Sequence, residues 1–234
     1  MAESPEGIDR KFTLNYYSRM RFITNLLPHL HTASTQPPHL SRSLSILAAG
    51  HGSALNLSDL ELKHSFSTAK CAGHSTMMND IMVAEFAQRE PATTFSHSFP
   101  SIVMTGITRE LPLWARAVVR VSKRLLVPFT VGVEETGARQ LFMATSGIYP
   151  PLKPFEGAAF AGGFPPQEGM EVARGGSGKV GGGAYSVDWN CDVVGEGQVL
   201  SEYRSNGISK TVWEHTMGLF ERVEKINQER ASVK

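Results

Sequence analysis

The residues best suited to acid–base chemistry lie in the short stretch Phe66-Ser67-Thr68-Ala69-Lys70. Residues four apart share one face of an α-helix, so an aromatic ring at position 66 would lie beside the Lys70 ammonium. If that ring were a tyrosine, the ammonium would stabilise its phenolate and lower its pKa from about 10, which suits proton transfer near neutral pH. Phe66 has the ring without the oxygen. The pattern therefore predicts a lysine on a helix whose proton-transfer partner is missing.

Four segments surround this pair in a consistent order. They are residues 14–18, 42–50, 66–70 and 99–105. In that order they are similar to the central helix, the strand before the active site, the Tyr/Lys helix and the Pro-Gly-x-Val-x-Thr stretch of the short-chain dehydrogenase/reductase family. The resemblance is closest to a divergent fungal group, and it covers only the C-terminal half of the family's domain.

The resemblance implies a catalytic set that is half retained. Asn15 and Lys70 occupy the asparagine and lysine positions, and Thr105 occupies the threonine position that contacts the nicotinamide end of the cofactor. Lys70 is implied as a second cofactor contact. Ala48, or the leucine before it, falls on the serine position, and Phe66 falls on the tyrosine position. The missing half is the half that holds the substrate oxygen.

The resemblance also implies NAD or NADP as the cofactor, but the family's glycine-rich phosphate-binding turn is not found in the sequence. Such a turn follows a strand and opens a helix whose N-terminus points at the pyrophosphate. Gly176, Gly178 and Gly181 match the G-x-G-x-x-G spacing, yet no strand pattern precedes them and no helix pattern follows. Residues 175–183 are therefore predicted to form a glycine-rich hairpin or loop.

Two histidines are candidates for the acid–base function that Phe66 lacks. His51 follows a predicted strand at the edge where ligands collect in parallel sheets, and His74 lies one turn after Lys70. A solvated loop histidine and a packed helix histidine are the alternative interpretations. The spacing of histidine, cysteine and carboxylate residues predicts no metal site.

The elements that must position these residues follow an α/β pattern. Apolar spacing of three and four predicts helices, over residues 7–31, 65–88, 133–144 and 201–229. Buried strand patterns cover residues 43–49, 93–103 and 184–188. The proline-rich residues 28–38 are expected to end the first helix and form a loop.

These elements predict a Rossmann-like three-layer, mostly parallel sheet that is truncated on its N-terminal side. Residues 1–148 are expected to form the Rossmann-like part of a single truncated domain. Residues 149–234 are expected to form an irregular extension, rich in glycine and proline, that ends in a helix. The basic amphipathic segment 108–131, with its core at Arg116–Arg124, corresponds to a substrate lid or dimer element in the family.

Composition restricts the class of protein. The 234 residues carry 23 basic and 22 acidic side chains, so a formal charge of +1 gives no field that favours nucleic acid. Two cysteines are too few for a disulfide framework and indicate a reduced, cytoplasmic protein. No apolar run reaches the ~18 residues of a membrane span.

The resemblance implies an NAD(P)-linked oxidoreductase that acts on a carbonyl or alcohol of a small molecule in fungal secondary metabolism. With Phe66 and Ala48 in the catalytic positions, we expect little turnover from this chain. One alternative is a non-redox isomerase or cyclase in which Lys70 acts with His51 or His74. Another is a pseudoenzyme or truncated copy that pairs with a full-length relative. The family's dimers predict a homo-oligomer through the helices of Asn15 and Lys70.

Overall fold

A parallel three-stranded sheet lies at the centre of the fold. In this computed structural model, residues 3–103 and 130–232 are described. The sheet has the order β1–β2–β5, formed by Arg42–Ile46, Thr94–Ser98 and Ala184–Val187, and both neighbouring pairs are parallel. A second, two-stranded parallel pair joins β3 (Ile102–Val103) to β4 (Thr130–Val131). These pairings confirm the predicted α/β class with a parallel sheet.

Six α-helices connect and flank these strands in the described part of the chain. They are α1 (Arg10–Phe12), α2 (Ser18–Thr35), α3 (Thr68–Arg89), α4 (Val133–Thr145), α5 (Gln198–Ser205) and α6 (Ile208–Ser232). A π-helical turn, Thr13–Tyr17, joins α1 to α2, and a 3₁₀ turn covers Ala159–Gly162. Helix α3 is the crossover between the parallel strands β1 and β2, as a parallel connection requires.

The two faces of the sheet are covered by different groups of residues. Phe95 of β2 and its neighbour Ala184 of β5 pack into a large core formed by α1, α2, α3 and α6. The next row of side chains points to the opposite face. There Leu44 and Tyr185 pack into a second core with Met143 of α4 and Tyr149. Helices therefore lie on both faces, which agrees with the Rossmann-like prediction.

Aromatic contacts fix α3 and α6 to the sheet. The Phe86 ring of α3 stacks on Phe95, with 5.4 Å between ring centroids, and meets Trp213 of α6 edge-on at 5.2 Å. The Arg89 guanidinium lies 3.8 Å from the centroid of the Trp213 ring on the same side of α3. Each pair adds to the stabilisation from apolar burial, so this cluster anchors the C-terminal helix.

Two of the predicted helix boundaries were wrong. Helix α2 continues through Pro28 to Thr35, and side-chain hydroxyls bind carbonyls of its last turns. Ser34 donates to the His31 carbonyl at 2.8 Å, and Ser41 donates to the Leu30 carbonyl at 2.7 Å. The predicted C-terminal helix 201–229 is two helices, since Gly207 has φ +73° between α5 and α6.

Two histidine side chains form hydrogen bonds that hold neighbouring segments against the large core. The His74 side chain of α3 accepts a hydrogen bond at Nε2 from the Asn56 backbone N–H, at 3.0 Å. The His215 side chain of α6 is hydrogen-bonded through Nε2 to the Tyr17 hydroxyl, at 2.9 Å. Burial lowers the pKa of both histidines. Each is therefore favoured as the neutral imidazole in the folded protein.

We expect Phe86→Ala to lower the free energy of unfolding by about 3–5 kcal/mol, since it leaves a cavity between Phe95 and Trp213. The control is Phe164→Ala, which removes a ring that is 71% exposed and should change stability by no more than about 0.5 kcal/mol. Urea denaturation followed by circular dichroism measures both. Equal losses in the two variants would contradict the packing role of Phe86.

Stability should fall as the pH is lowered below about 6.5, the ordinary histidine pKa. The pKa values of His74 and His215 are lowered in the folded state, so the unfolded chain binds more protons in the range from about 6.5 down to the folded values. His74→Gln keeps a side-chain acceptor for the Asn56 N–H and removes one titrating group. Urea midpoints at about pH 7.5 and 5.5 should differ less in this variant than in the parent chain; an unchanged difference would remove His74 from the explanation.

Candidate functional site

A cleft of about 340 Å³ lies beside the carboxyl ends of the central strands. Its walls come from the loop after β1, from Met77 and Asp80 of α3, from Ser186 of β5 and from residues 194–200. Carboxyl ends of parallel strands are where ligands bind in open α/β sheets. The cleft is therefore the candidate functional site.

The Asp80 carboxylate forms the polar part of the cleft. Its side chain is only 5% exposed, and its Oδ1 accepts hydrogen bonds from His97 Nδ1 at 2.7 Å and from the Ser186 hydroxyl at 2.6 Å. The Gly50 backbone N–H lies 3.5 Å from Oδ2. These bonds join α3, β2, β5 and the loop after β1 at a single side chain.

His97 lies outside the cleft wall and orients the Asp80 carboxylate through a hydrogen bond. Its side chain is fully buried, and the Ala48 backbone N–H donates to its Nε2 at 3.3 Å. Because Nε2 accepts, the ring proton lies on Nδ1 and is donated to Asp80, which defines a neutral tautomer. Ser186 is bonded to Asp80 and not to His97, so the three residues lack the serine–histidine contact of a nucleophilic triad. The arrangement can hold a carboxylate ready to accept a proton or a hydrogen bond.

A second carboxyl group, that of Glu196, lies where this cleft meets an adjoining one of about 570 Å³. Burial raises the pKa of Glu196, and Arg204 acts in the opposite direction. The Arg204 Nη2 atom lies 2.7 Å from Glu196 Oε1. Glu196 is thus paired with a cation, whereas Asp80 is held by neutral donors.

Phe66 and Lys70 lie elsewhere, at the start of α3. Ser67 caps this helix, and its hydroxyl oxygen accepts from the Lys70 backbone N–H at 3.1 Å. Phe66 therefore precedes the helix, and the prediction that it shares a helix face with Lys70 was wrong. Its ring is half-buried against the large core, while Lys70 is exposed in the first turn. Neither residue lines the cleft.

Asn15 and Ala48 contribute main-chain groups to the described contacts. Asn15 lies in the π-helical turn, and its carbonyl accepts from Asn79 Nδ2 at 3.1 Å. Asn79 in turn accepts at Oδ1 from the Ser45 hydroxyl at 3.1 Å. Ala48 supplies the N–H bound by His97. Thr105 and most of the basic segment 108–131 fall outside the described residues.

The two candidate histidines have different surroundings. His51 is exposed and its ring meets Phe99 edge-on, with centroids 4.5 Å apart. His74 is buried, and its Nδ1 has no hydrogen-bond partner among the described groups. Neither histidine is part of the cleft wall. Their proposed role as substitute acids or bases stays a prediction.

The sequence analysis missed Asp80, His97, Ser186 and Glu196. One signal was available, because His97 lies inside a predicted buried strand, and a buried imidazole needs hydrogen-bond partners. Nothing in the linear pattern shows that those partners are Asp80 and the Ala48 N–H. Asp80 and Ser186 are 106 residues apart in the sequence, so neither helical periodicity nor hairpin pairing could have indicated their contact.

The glycine-rich segment 175–183 folds as a tight turn, as predicted. Arg174 and Val180 form an antiparallel bridge, and Gly175 donates from its N–H to the Lys179 carbonyl at 2.8 Å. The segment leads into β5 and not into a helix, so it offers no helix N-terminus to a phosphate. The described ranges also contain no group of three metal-ligating side chains. None of their helices is long and apolar enough to cross a membrane.

Comparison with known proteins identifies relatives in fungi. The chain is 38% identical over 226 residues to oxidoreductase AN1596 of Emericella nidulans, covering 94% of this chain and 64% of that protein. It is 28% identical to the NmrA-like family domain-containing oxidoreductase notO of an Aspergillus species, covering 93% of this chain and 59% of notO. It is 26% identical to the short-chain dehydrogenase/reductase SAT2 of Stachybotrys chartarum, covering 95% and 61%.

The chain spans less than two thirds of the length of these curated relatives. No family model matches it, and no solved structure does. The relatives nevertheless cover nearly the whole chain, and their names agree with the resemblance seen in its segments. The chain is therefore similar, over nearly its whole length, to a group of fungal oxidoreductases that includes a short-chain dehydrogenase/reductase and an NmrA-like protein.

Proposed function

We propose that this chain provides the substrate-binding part of an NAD(P)-linked oxidoreductase that acts on an alcohol or carbonyl of a small molecule in fungal secondary metabolism. One observation carries the proposal: a cleft with a buried, oriented carboxylate lies at the carboxyl ends of a parallel sheet. The fungal relatives, which are named as oxidoreductases and as a short-chain dehydrogenase/reductase, support the class of reaction. A cleft of this size is typical of small-molecule sites.

The catalytic set inherited through the resemblance remains part of the proposal. Asn15 and Lys70 would take part in proton relay, whereas Phe66 and Ala48 have no hydroxyl with which to hold a substrate oxygen. Lys70 is exposed at the start of α3, and its ring partner precedes the helix. These positions support weak turnover by this chain, with Thr105 and Arg116–Arg124 as the expected cofactor contact and lid.

The glycine-rich turn 175–183 does not fit the phosphate end of a nicotinamide dinucleotide. The described glycine-rich turn, 175–183, leads into a strand, and no helix begins beside it. The backbone donors and helix N-terminus that cradle a pyrophosphate are therefore not formed by this turn.

A non-redox isomerase or cyclase is the second candidate function. The observation that favours it is the Asp80 carboxylate, since a carboxylate oriented by His97 and Ser186 can accept a proton without a nicotinamide. This alternative predicts activity that is indifferent to added NAD(P). The His51 and His74 side chains lie outside the cleft wall, so Asp80 would replace them as the base.

A homo-oligomer through the helix of Asn15 is also part of the proposal. The exposed face of the π-turn and α2 carries three large apolar side chains. Their exposed fractions are 68% for Leu14, 70% for Phe22 and 48% for Leu26. Apolar side chains grouped on one helix face are typical of association surfaces. Helix α3 contributes less, since most of its residues are buried within the chain.

NADH and NADPH titration tests the proposed function. We expect the folded 234-residue chain to bind either cofactor only weakly, with a Kd above about 1 mM, because the glycine-rich turn lacks a phosphate cradle. A chimera that adds the residues of oxidoreductase AN1596 outside the match should bind with a Kd in the micromolar range, on the order of –8 kcal/mol. Protein-to-nicotinamide energy transfer measures binding, and circular dichroism checks folding.

Each other outcome overturns part of the proposal. Tight, saturable binding by the 234-residue chain would show that this chain builds its own phosphate site. A folded chimera that binds neither cofactor would remove the nicotinamide link and leave the non-redox function.

A further inference from the structure

We propose that Asp80 anchors a hydrogen-bond donor, a hydroxyl or a protonated amine, on an otherwise apolar ligand bound in the cleft. The inference rests on the proposed function only in taking this cleft as the small-molecule site. It specifies the chemistry of the ligand, which neither the resemblance nor the names of the relatives contain.

The two carboxylate oxygens of Asp80 are used unequally. Oδ1 accepts from His97 and Ser186 at 2.7 and 2.6 Å. Oδ2 has the Gly50 N–H at 3.5 Å, which is a long contact for an N–H donor. A carboxylate offers about four acceptor positions. Acceptor capacity is therefore left on Oδ2, and Asp80 is part of the cleft wall.

The charge at this position favours a donor over an acceptor. Within the described ranges, the one basic side chain within 4 Å of the Asp80 carboxylate is His97, and the Ala48 N–H that donates to Nε2 makes this imidazole neutral. The nearby guanidinium of Arg204 is directed to Glu196 instead. A buried carboxylate without a cation is stabilised by added donors and repels acceptors and anions. A hydroxyl or ammonium group meets this requirement, whereas a carboxylate or phosphate does not.

Much of the cleft wall beside Asp80 is apolar and favours an apolar ligand body. The apolar side chains are those of Ala54, Met77, Val194, Val199 and Leu200. Gln198 and Glu196 also line the cleft, and Glu196 is paired with Arg204. The volume of about 340 Å³ is within the range of small-molecule sites. An apolar ring system would replace water along these walls, while its donor group reached Asp80.

The carboxylate is held in place before any ligand enters. His97 is fully buried and fixed by the Ala48 main chain, and Ser186 is fixed within β5. Binding therefore requires little reordering of Asp80, which reduces the entropy cost of forming the contact. The same rigidity makes the contact selective, because Oδ2 cannot turn away from a ligand that lacks a donor.

Three matched probes test the inference: naphthalen-2-ylmethanol, naphthalen-2-ylmethanamine and the methyl ether of the alcohol. They share one apolar body, and only the ether lacks a donor. We expect the alcohol or the amine to bind at least about tenfold more tightly than the ether, as for a hydrogen bond to a charged group. The ¹³C-methyl NMR signal of Met77, assigned with Met77→Leu, reports binding in the cleft. The tighter of the two donors identifies the preferred group.

Asp80→Asn should abolish this preference for a donor. The amide oxygen can still accept from His97 and Ser186, so the fold should be retained, and a melting curve checks it. Asp192→Asn is the matched control, since it removes a carboxylate from the adjoining cleft and should leave the preference unchanged. Equal binding of ether, alcohol and amine by the parent chain overturns the inference, even if Asp80→Asn does not fold. A preference that persists in folded Asp80→Asn overturns it as well. Neither result depends on nicotinamide binding.

Discussion

The hydrogen bond between His97 Nδ1 and Asp80 Oδ1 is the constraint on which the carboxyl end of the sheet depends. Through it, α3 is fixed to β2, and the remaining bonds of the same two side chains reach Ala48, Gly50 and Ser186. His97 and Asp80 are both buried, so breaking the bond between them would leave unsatisfied polar atoms away from water. The shape of the cleft and the orientation of its carboxylate therefore follow from one connected polar network.

Helix α3 contributes to a second hydrogen-bond network through Asn79, the residue before Asp80. The Asn79 amide donates to the carbonyls of Ser75 and Asn15 and accepts from Ser45, so it joins the π-turn to the end of β1. Residues adjacent on a helix point about 100° apart, which lets Asn79 and Asp80 serve different neighbours. Asn15 lies within the π-helical turn Thr13–Tyr17 and is contacted there through its carbonyl oxygen. The position that the resemblance marks as catalytic is therefore held here through its main chain.

Local patterns were sufficient to predict most helices and strands around the central sheet, because buried strands and amphipathic helices leave a direct periodic signal. The predicted strand 93–103 is instead two strands, β2 and β3, which lie in different sheets. Local patterns were also insufficient at Pro28, which lies inside α2. They also failed at Phe66, which the Ser67 cap excludes from α3. The cleft was not predictable in the same way. Asp80, His97 and Ser186 meet only after the parallel pairing of β2 and β5 has formed, and no sequence spacing encodes that pairing.

Within the described ranges, strand β1 is paired on one side, with β2. The Arg19 guanidinium of α2 reaches the end of this strand and donates to the Ile46 carbonyl at 2.7 Å and to the Ser45 hydroxyl at 3.3 Å. A charged side chain at the margin of a sheet acts as a gatekeeper against templated growth of fibrils. Through Arg19, helix α2 also limits association between molecules at this edge of the sheet. A neutral residue in place of Arg19 would remove both donors from the end of β1, beside the strand edge that the described residues leave unpaired.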